Sequence, residues 1–125
     1  MTANDVFKIA CALMDEIDES GEVNPDTGYE GRAPSLINTL QKELAFYEGA
    51  DVLNGITSLE DDLEISSDTA SRVMPYGLAA QFALGDRNGD MYNDYSAKYR
   101  SLIRTIKAPT EDVEDAYNIM DGMTQ

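Results

Sequence analysis

The sequence predicts an all-α fold, a compact bundle of four to five helices. Two observations support this fold class. Apolar residues recur at helical spacing in four segments, and Gly, Pro, Asn and Asp cluster between those segments. The 125 residues fit one domain with a modest core. We therefore expect a single helical domain over residues 1–107 and a C-terminal tail over residues 108–125.

The first helix is predicted over residues 5–19. Asn4 and Asp5 supply a polar N-terminal cap. One face of the helix carries the apolar residues Val6, Ile9, Ala10, Leu13 and Ile17. The last turns carry the acids Asp15, Glu16, Asp18 and Glu19, and the helix dipole disfavours each exposed negative charge there by roughly 0.3–1 kcal/mol. A compensating group outside the helix is expected.

Residues 20–32 are rich in Gly, Pro, Asn and Asp and predict a loop. The second helix is expected to begin at Pro34, because a proline at the first helical position lacks an N–H that the helix does not need. Its apolar stripe is Leu36, Ile37, Leu40, Leu44 and Tyr47. Gly49 is the predicted C-terminal cap.

An extended arm is predicted over residues 50–66, between the second and third helices. Asn54 and Gly55 form a turn dipeptide, and the apolar residues that follow lie among acids without a clean period. A short strand within the arm remains an open alternative.

The third helix contains a proline. Residues 66–70 offer caps, and the apolar pattern of Ala70, Val73, Met74, Leu78 and Phe82 keeps helical spacing across Pro75. A proline inside a helix costs about 3 kcal/mol or more and disfavours the helical conformation of the residue before it. We expect a kink or break at Pro75, after which the small residues Gly77, Ala80 and Ala83 allow another helix to pack closely.

A last long helix is predicted over residues 90–107, before Pro109. Its buried side carries Tyr92, Tyr95, Tyr99, Leu102, Ile103 and Ile106. The tyrosines predict a core stripe with hydroxyls at its rim, and a stacking platform is the alternative. Residues 110–125 contain a short amphipathic pattern of Val113, Ala116, Tyr117 and Met120, and a helix this short needs a surface on which to fold.

The charge balance limits the possible partners. The chain has 24 acids, 9 bases and no histidine, a net charge of −15, which argues against binding nucleic acid through its phosphates. The single cysteine, Cys11, forms no intramolecular disulfide, and its apolar helix indicates a packing role. No signal peptide or membrane span is evident in the sequence, so we expect an intracellular protein that does not bind membranes.

No catalytic, metal or cofactor site is expected, and an enzyme is the least favoured class. Without histidine, a base near neutral pH requires a strongly shifted carboxylate or lysine. Asp86, Asn88, Asp90 and Asp94 resemble the first half of a calcium loop. However, Met91 and Ala97 stand where that loop needs glycine and glutamate. A turn with Asp90 as the helix cap is the preferred interpretation.

Basic residues concentrate in the last helix. Lys98, Arg100, Arg104 and Lys107 lie there, and the last three share one stripe. The stripe is either a solvated face that suits the helix C-terminus or a subunit interface. In the second case its partner on another copy is one of two acidic patches, Asp15, Glu16, Asp18 and Glu19 or Glu60, Asp61, Asp62 and Glu64. A head-to-tail contact of this kind closes a ring if its rotation allows.

The segment "DTASRVMPYGLAAQFALGDRNGDMYNDYSAKYRSLI" resembles the head-tail connector, or adaptor, proteins of long-tailed bacteriophages and prophages. In that family a "LPYGLAA"-like helix is followed by an acidic turn and a Tyr-rich helix with F/Y-N-x-x-Y spacing. The matching residues are Pro75, Tyr76, Gly77, Leu78, Ala79 and Ala80, then Tyr92, Asn93, Tyr95 and Tyr99. Met74 replaces the usual leucine, and the first thirty residues match no pattern of the family.

The resemblance implies a helical subunit that assembles as a ring beneath the portal protein. The ring links the portal to a stopper or tail-completion protein at the head-tail interface of the virion, after assembly in the bacterial cytoplasm. DNA passes through its channel without sequence-specific binding. We expect the arm acids Glu60, Asp61, Asp62 and Glu64, or the patch from Asp15 to Glu19, to face that channel.

A DNA mimic is the main alternative. Such a small acidic protein presents carboxylates in place of phosphates and inhibits a DNA-binding protein, and the composition fits it nearly as well. It predicts a monomer or dimer, whereas a connector predicts a ring.

Overall fold

The computed structural model describes residues 1–51 and 54–107. Five α-helices lie within these residues: α1 (Ala3–Leu13), α2 (Tyr29–Glu48), α3 (Ser67–Arg72), α4 (Met74–Gly85) and α5 (Gly89–Ile103). A short 3-10 turn, Pro25–Thr27, precedes α2. The all-α bundle is therefore confirmed. The predicted tail helix lies outside the described residues.

Helix α4 is the centre of the bundle and packs against each of the other four helices. Eight of its twelve residues are buried, and they lie on all sides of the helix. A helix that is apolar all round has no face suited to water, so it takes the innermost position. Within the described residues, no helix is both long enough and apolar enough to cross a membrane.

The helix is interrupted at Val73, two residues before Pro75, so the expected third helix is two helices, and Met74, expected to disfavour the helical conformation, is the first residue of α4. Ser66 caps α3 by accepting a hydrogen bond from the Thr69 N–H. Val73, with φ −107° and ψ −51°, separates α3 from α4. Pro75 then occupies the first turn of α4, where no hydrogen bond from its nitrogen is required.

Helix α1 differs from its predicted bounds at both ends. It begins at Ala3, because Thr2 and Asp5 form a reciprocal capping box. It ends at Leu13 rather than Glu19, and Asp15 adopts a left-handed φ of 58°. The following residues fold back through an antiparallel bridge between Ile17 and Val23. The crowded acids therefore lie in the turn that follows α1 rather than within its last turns.

Helix α2 begins at Tyr29, five residues before the predicted start at Pro34, which lies inside the helix. The loop prediction for residues 20–32 is therefore too long. The C-terminal prediction is confirmed: Gly49 has φ 71°, and its N–H donates to the carbonyls of Ala45 and Phe46.

The arm between α2 and α3 is irregular and lies against the N-terminus of α1. Asp61 and Leu59 carbonyls accept hydrogen bonds from the N–H groups of Ala3 and Asn4. In residues 54–66 the only bridge joins Thr2 and Asp62, and no strand is present. Two apolar side chains of the arm, Ile56 and Ile65, are buried in the core.

Helix α5 begins at Gly89 and ends at Ile103, so the prediction of residues 90–107 is four residues too long at its C-terminus. Asn88, not Asp90, is its cap, since the Asn88 side chain accepts from the Met91 N–H. Tyr99 is buried, and the half-buried Tyr95 donates its hydroxyl to the Leu13 carbonyl.

Candidate functional site

A close helix crossing lies at Gly77 of α4. A Cβ atom at this position would stand 2.7 Å from Tyr99 Cε1 and 3.0 Å from Leu40 Cδ2. Glycine therefore lets α4 approach α5 and α2 together. Ala80 and Ala83, the other small residues predicted to allow close packing, and Pro75, predicted to set up the crossing, are also buried in α4.

Beside this crossing, a hollow of about 400 Å³ lies between α2 and α5. Its floor is α4, at Gly77, Ala80 and Gln81. A second hollow of about 380 Å³ continues it toward the end of α5. We call the two together the α2/α5 groove. Its walls are Leu36, Thr39, Leu40, Glu43 and Tyr47 from α2 and Tyr92, Ser96, Tyr99, Arg100, Ile103, Arg104 and Ile106 from α5 and its end.

Glu43 and Tyr99 connect the two walls of the groove. The Tyr99 hydroxyl donates a hydrogen bond of 2.5 Å to Glu43 Oε1. Burial, followed by that hydrogen bond and the charge of Glu43, raises the pKa of Tyr99 well above its usual range. Tyr99 therefore stays neutral at physiological pH and holds the Glu43 carboxylate at the groove edge.

The predicted interface cations lie at one end of this groove. Arg100 and Arg104 line it, and Lys107 follows at the end of the described chain. All three are exposed and form no ion pair with a described residue. Two other arginines do form ion pairs: Arg32 with Asp86 at 3.5 Å and Arg72 with Asp68 at 3.0 Å.

The first acidic patch is partly used to build a turn. The Asp18 carboxylate accepts hydrogen bonds from the backbone and hydroxyl of Ser20 and from the Glu22 N–H. Hydrogen bonding, that of the Ser20 side chain most of all, lowers the pKa of Asp18. Glu16 accepts from the Asn24 amide. Asp15 and Glu19 are exposed and accept no hydrogen bond from a described side chain or N–H, so they are the acids available to a partner.

The second acidic patch is likewise partly used to hold local backbone in place. Asp61 accepts from Thr57 and Ser58, and the backbone of Thr57 contributes most to lowering its pKa. Glu64 accepts from the N–H groups of Asn54 and Gly55. Glu60 and Asp62 are exposed and leave their carboxylates to solvent.

An aromatic pair at the end of α2 was not anticipated. Phe46 is 78% exposed and Tyr47 is 44% exposed, with ring centroids 5.5 Å apart. Tyr47, assigned to the apolar stripe of the second helix, is therefore exposed and not part of the core. Two consecutive aromatic residues on one helix point about 100° apart, which is the signal that could have revealed exposure of at least one ring.

No catalytic constellation is present in the described part of the chain. Among residues 1–51 and 54–107, no three acidic or cysteine side chains are placed to hold a metal ion, and this includes the calcium-like turn at Asp86. Cys11 is fully buried, and its burial raises the pKa of its thiol to about 11. That environment favours the unreactive thiol over the thiolate.

Comparisons with protein-family models, characterised proteins and solved structures found no match to this chain.

Proposed function

We propose that this protein is a head-tail connector subunit of a long-tailed bacteriophage or prophage. In this role it is a structural protein rather than an enzyme, and copies of it form a ring beneath the portal around the DNA channel. One observation carries the proposal: the two motifs of the resemblance meet in space. The "PYGLAA" segment supplies Gly77, the Tyr-rich helix supplies Tyr99, and these two residues are in close contact where α4 crosses α5.

The charge distribution supports a head-to-tail contact between copies. Arg100, Arg104 and Lys107 form an exposed basic stripe on a protein with a net charge of −15. Opposite charges on two different surfaces set the orientation of a contact more than its affinity. The acids left free by the turns, Asp15 and Glu19 or Glu60 and Asp62, are the complementary surface. Carboxylates on the channel wall let DNA pass without binding its phosphates.

Mass in solution tests the proposal directly. The purified full chain should form a ring, or join one when portal protein is added, and light scattering on a sizing column measures both. A chain that stays a monomer or dimer with portal, and instead binds and inhibits a basic DNA-binding enzyme, is the DNA mimic and contradicts the connector.

Charge reversal tests the proposed contact. Arg104→Glu should weaken ring formation, and the defect should grow as ionic strength falls because like charges then repel over a longer distance. Lys42→Glu, the same change at an exposed position of α2 outside the groove, is the matched control. Restoration of the ring by Glu19→Lys or by Glu60→Lys identifies the acidic patch. Intact rings from Arg104→Glu at low salt contradict the contact.

A further inference from the structure

The α2/α5 groove offers an apolar surface with cations at the end where the chain leaves α5. Leu36, Leu40 and Ile103 contribute apolar side chains, and Arg100 and Arg104 contribute charge. Helix α5 ends at Ile103, and Ile106 lines the same end of the groove. The described chain ends at Lys107, the residue after Ile106.

Residues 108–125 contain apolar and acidic residues that complement the apolar walls and the arginines of the groove. By sequence, Val113, Ala116, Tyr117 and Met120 share one face of a helix. Four acids precede or interleave with them near the start of the segment: Glu111, Asp112, Glu114 and Asp115. Acids in a first turn also suit the positive end of a helix dipole. In an antiparallel placement, Asp112 and Glu114, which flank the apolar face, would lie nearest Arg104 and Arg100, and the apolar residues farther along the groove.

From these features we propose that residues 110–121 bind as an amphipathic helix in the α2/α5 groove of their own subunit. The lengths agree, since residues 110–121 and residues 92–103 of α5 each span roughly 17 Å at about 1.5 Å per residue. Residues 104–109 form the connection, within the roughly two to eight residues that join antiparallel helices in bundles.

The short connection favours the chain's own tail over that of a neighbour. A tethered segment meets its site at an effective concentration of about millimolar or more, which a separate copy in dilute solution does not reach. The inference concerns the free subunit and does not rest on the connector function. It assigns an occupant to a groove whose cations are otherwise exposed.

Paramagnetic broadening in the full chain tests this placement. A nitroxide at Thr39→Cys, an exposed position on the α2 wall, should reduce the amide peak intensities of residues 111–121. A nitroxide at Lys8→Cys, exposed on α1 and outside the groove lining, is the control and should broaden those peaks much less. The buried Cys11 is expected to remain unlabelled.

A mixed sample separates the two possible sources of the tail. Spin-labelled protein without ¹⁵N is combined with ¹⁵N protein without label, so only contacts between copies broaden the peaks. The proposal is supported if the peaks broaden when label and ¹⁵N are on the same molecule and do not broaden in the mixed sample. Broadening in the mixed sample assigns the groove to a neighbour's tail, and absence of broadening in both samples shows an unoccupied groove. Either of these results overturns the proposal.

A matched pair of tail variants tests the apolar contact. Tyr117→Asp places a charge on the apolar face and should abolish the broadening from position 39. Asn118→Asp adds the same charge to the polar face and should preserve it. Neither change alters the groove. Equal behaviour of the two variants overturns docking through the apolar face.

Discussion

The ring of Tyr29 stacks on the ring of Phe82, with centroids 4.2 Å apart and planes 7° from parallel. The Arg32 guanidinium lies over both rings, at 5.1 and 5.6 Å from their centroids, and pairs with Asp86. The Tyr29 hydroxyl donates to the same Asp86 carboxylate. These contacts fasten the first turn of α2 to the end of α4. They provide a physical reason why α2 begins before Pro34.

We expect Tyr29→Phe to lower the free energy of unfolding by about 0.5–3 kcal/mol, because it removes a hydrogen bond to a carboxylate and keeps the stacked ring. Tyr29→Ala should cost about 3–5 kcal/mol, as truncation of a buried aromatic side chain does. Urea denaturation followed by circular dichroism measures both. Tyr47→Phe, which removes the hydroxyl of a 44% exposed ring, is the control. A Tyr29→Phe protein as stable as the wild type contradicts the role of Asp86.

Alkaline pH should destabilise the protein through its tyrosines. Burial raises the pKa of Tyr29, Tyr95 and Tyr99 above the ordinary value of 10.0. A raised folded-state pKa means that the folded state favours the neutral phenol. Its contribution to stability is complete below about pH 10, the unfolded-state pKa, and declines as the pH rises above it.

Urea denaturation from pH 8 to pH 11 measures this decline. Tyr99→Phe should make it shallower than in the wild type, because phenylalanine has no proton to lose. Tyr47→Phe serves again as the control, since Tyr47 lies on the groove edge and its ring is 44% exposed. If the free energy of unfolding falls equally steeply with pH in Tyr99→Phe and in the wild type, Tyr99 does not contribute to the alkaline loss of stability.

The sequence could predict features that depend on local geometry. Pro75 interrupts the helix because it has no N–H to donate and its ring clashes with a carbonyl of the preceding turn, whatever the rest of the fold does. Gly49 caps α2 for a similarly local reason, its left-handed φ of 71°. By contrast, Tyr29 begins α2 through contacts with Phe82 and Asp86, which are distant in sequence. Periodicity in a short window contains no information about such contacts.

The groove could not be predicted from the sequence, because it too depends on contacts between residues that are distant in sequence. Helical spacing places Arg100 and Arg104 on one stripe of α5, and the structure keeps them exposed. The hollow beside them is lined by α2, α4 and α5, so it depends on the packing of three helices together. Helical spacing also misled the prediction of α1, because it assigned Ile17 to the helix and could not show that Ile17 bridges to Val23.

Cys11 should resist thiol reagents until the protein unfolds. It is fully buried, and its pKa of about 11 leaves little thiolate at pH 8. The reaction with a chromogenic disulfide should therefore accelerate with urea across the unfolding transition. The exposed thiol of Thr39→Cys, in the same chain, should react at once and provides the reference. Rapid modification of wild-type Cys11 without urea contradicts its placement in the core.

Gly77→Ala should destabilise the protein although alanine favours helix. The intrinsic gain in a helix is about 1 kcal/mol. At this position the new methyl group would lie 2.7 Å from Tyr99 Cε1 and 3.0 Å from Leu40 Cδ2. Overpacking of this kind costs about 1–3 kcal/mol, so we expect a net loss in the free energy of unfolding.

Gly31→Ala is the matched control, because Gly31 is also helical and has no atom within 4 Å of a built Cβ. It should stabilise the protein by about 0.5–1 kcal/mol. Tyr99→Ala removes the obstructing ring, so adding Gly77→Ala in that background should be far less harmful than in the wild type. Urea denaturation of the four proteins in this cycle measures the coupling. A zero coupling energy would show that Gly77 is not required for the close approach of α4 and α5.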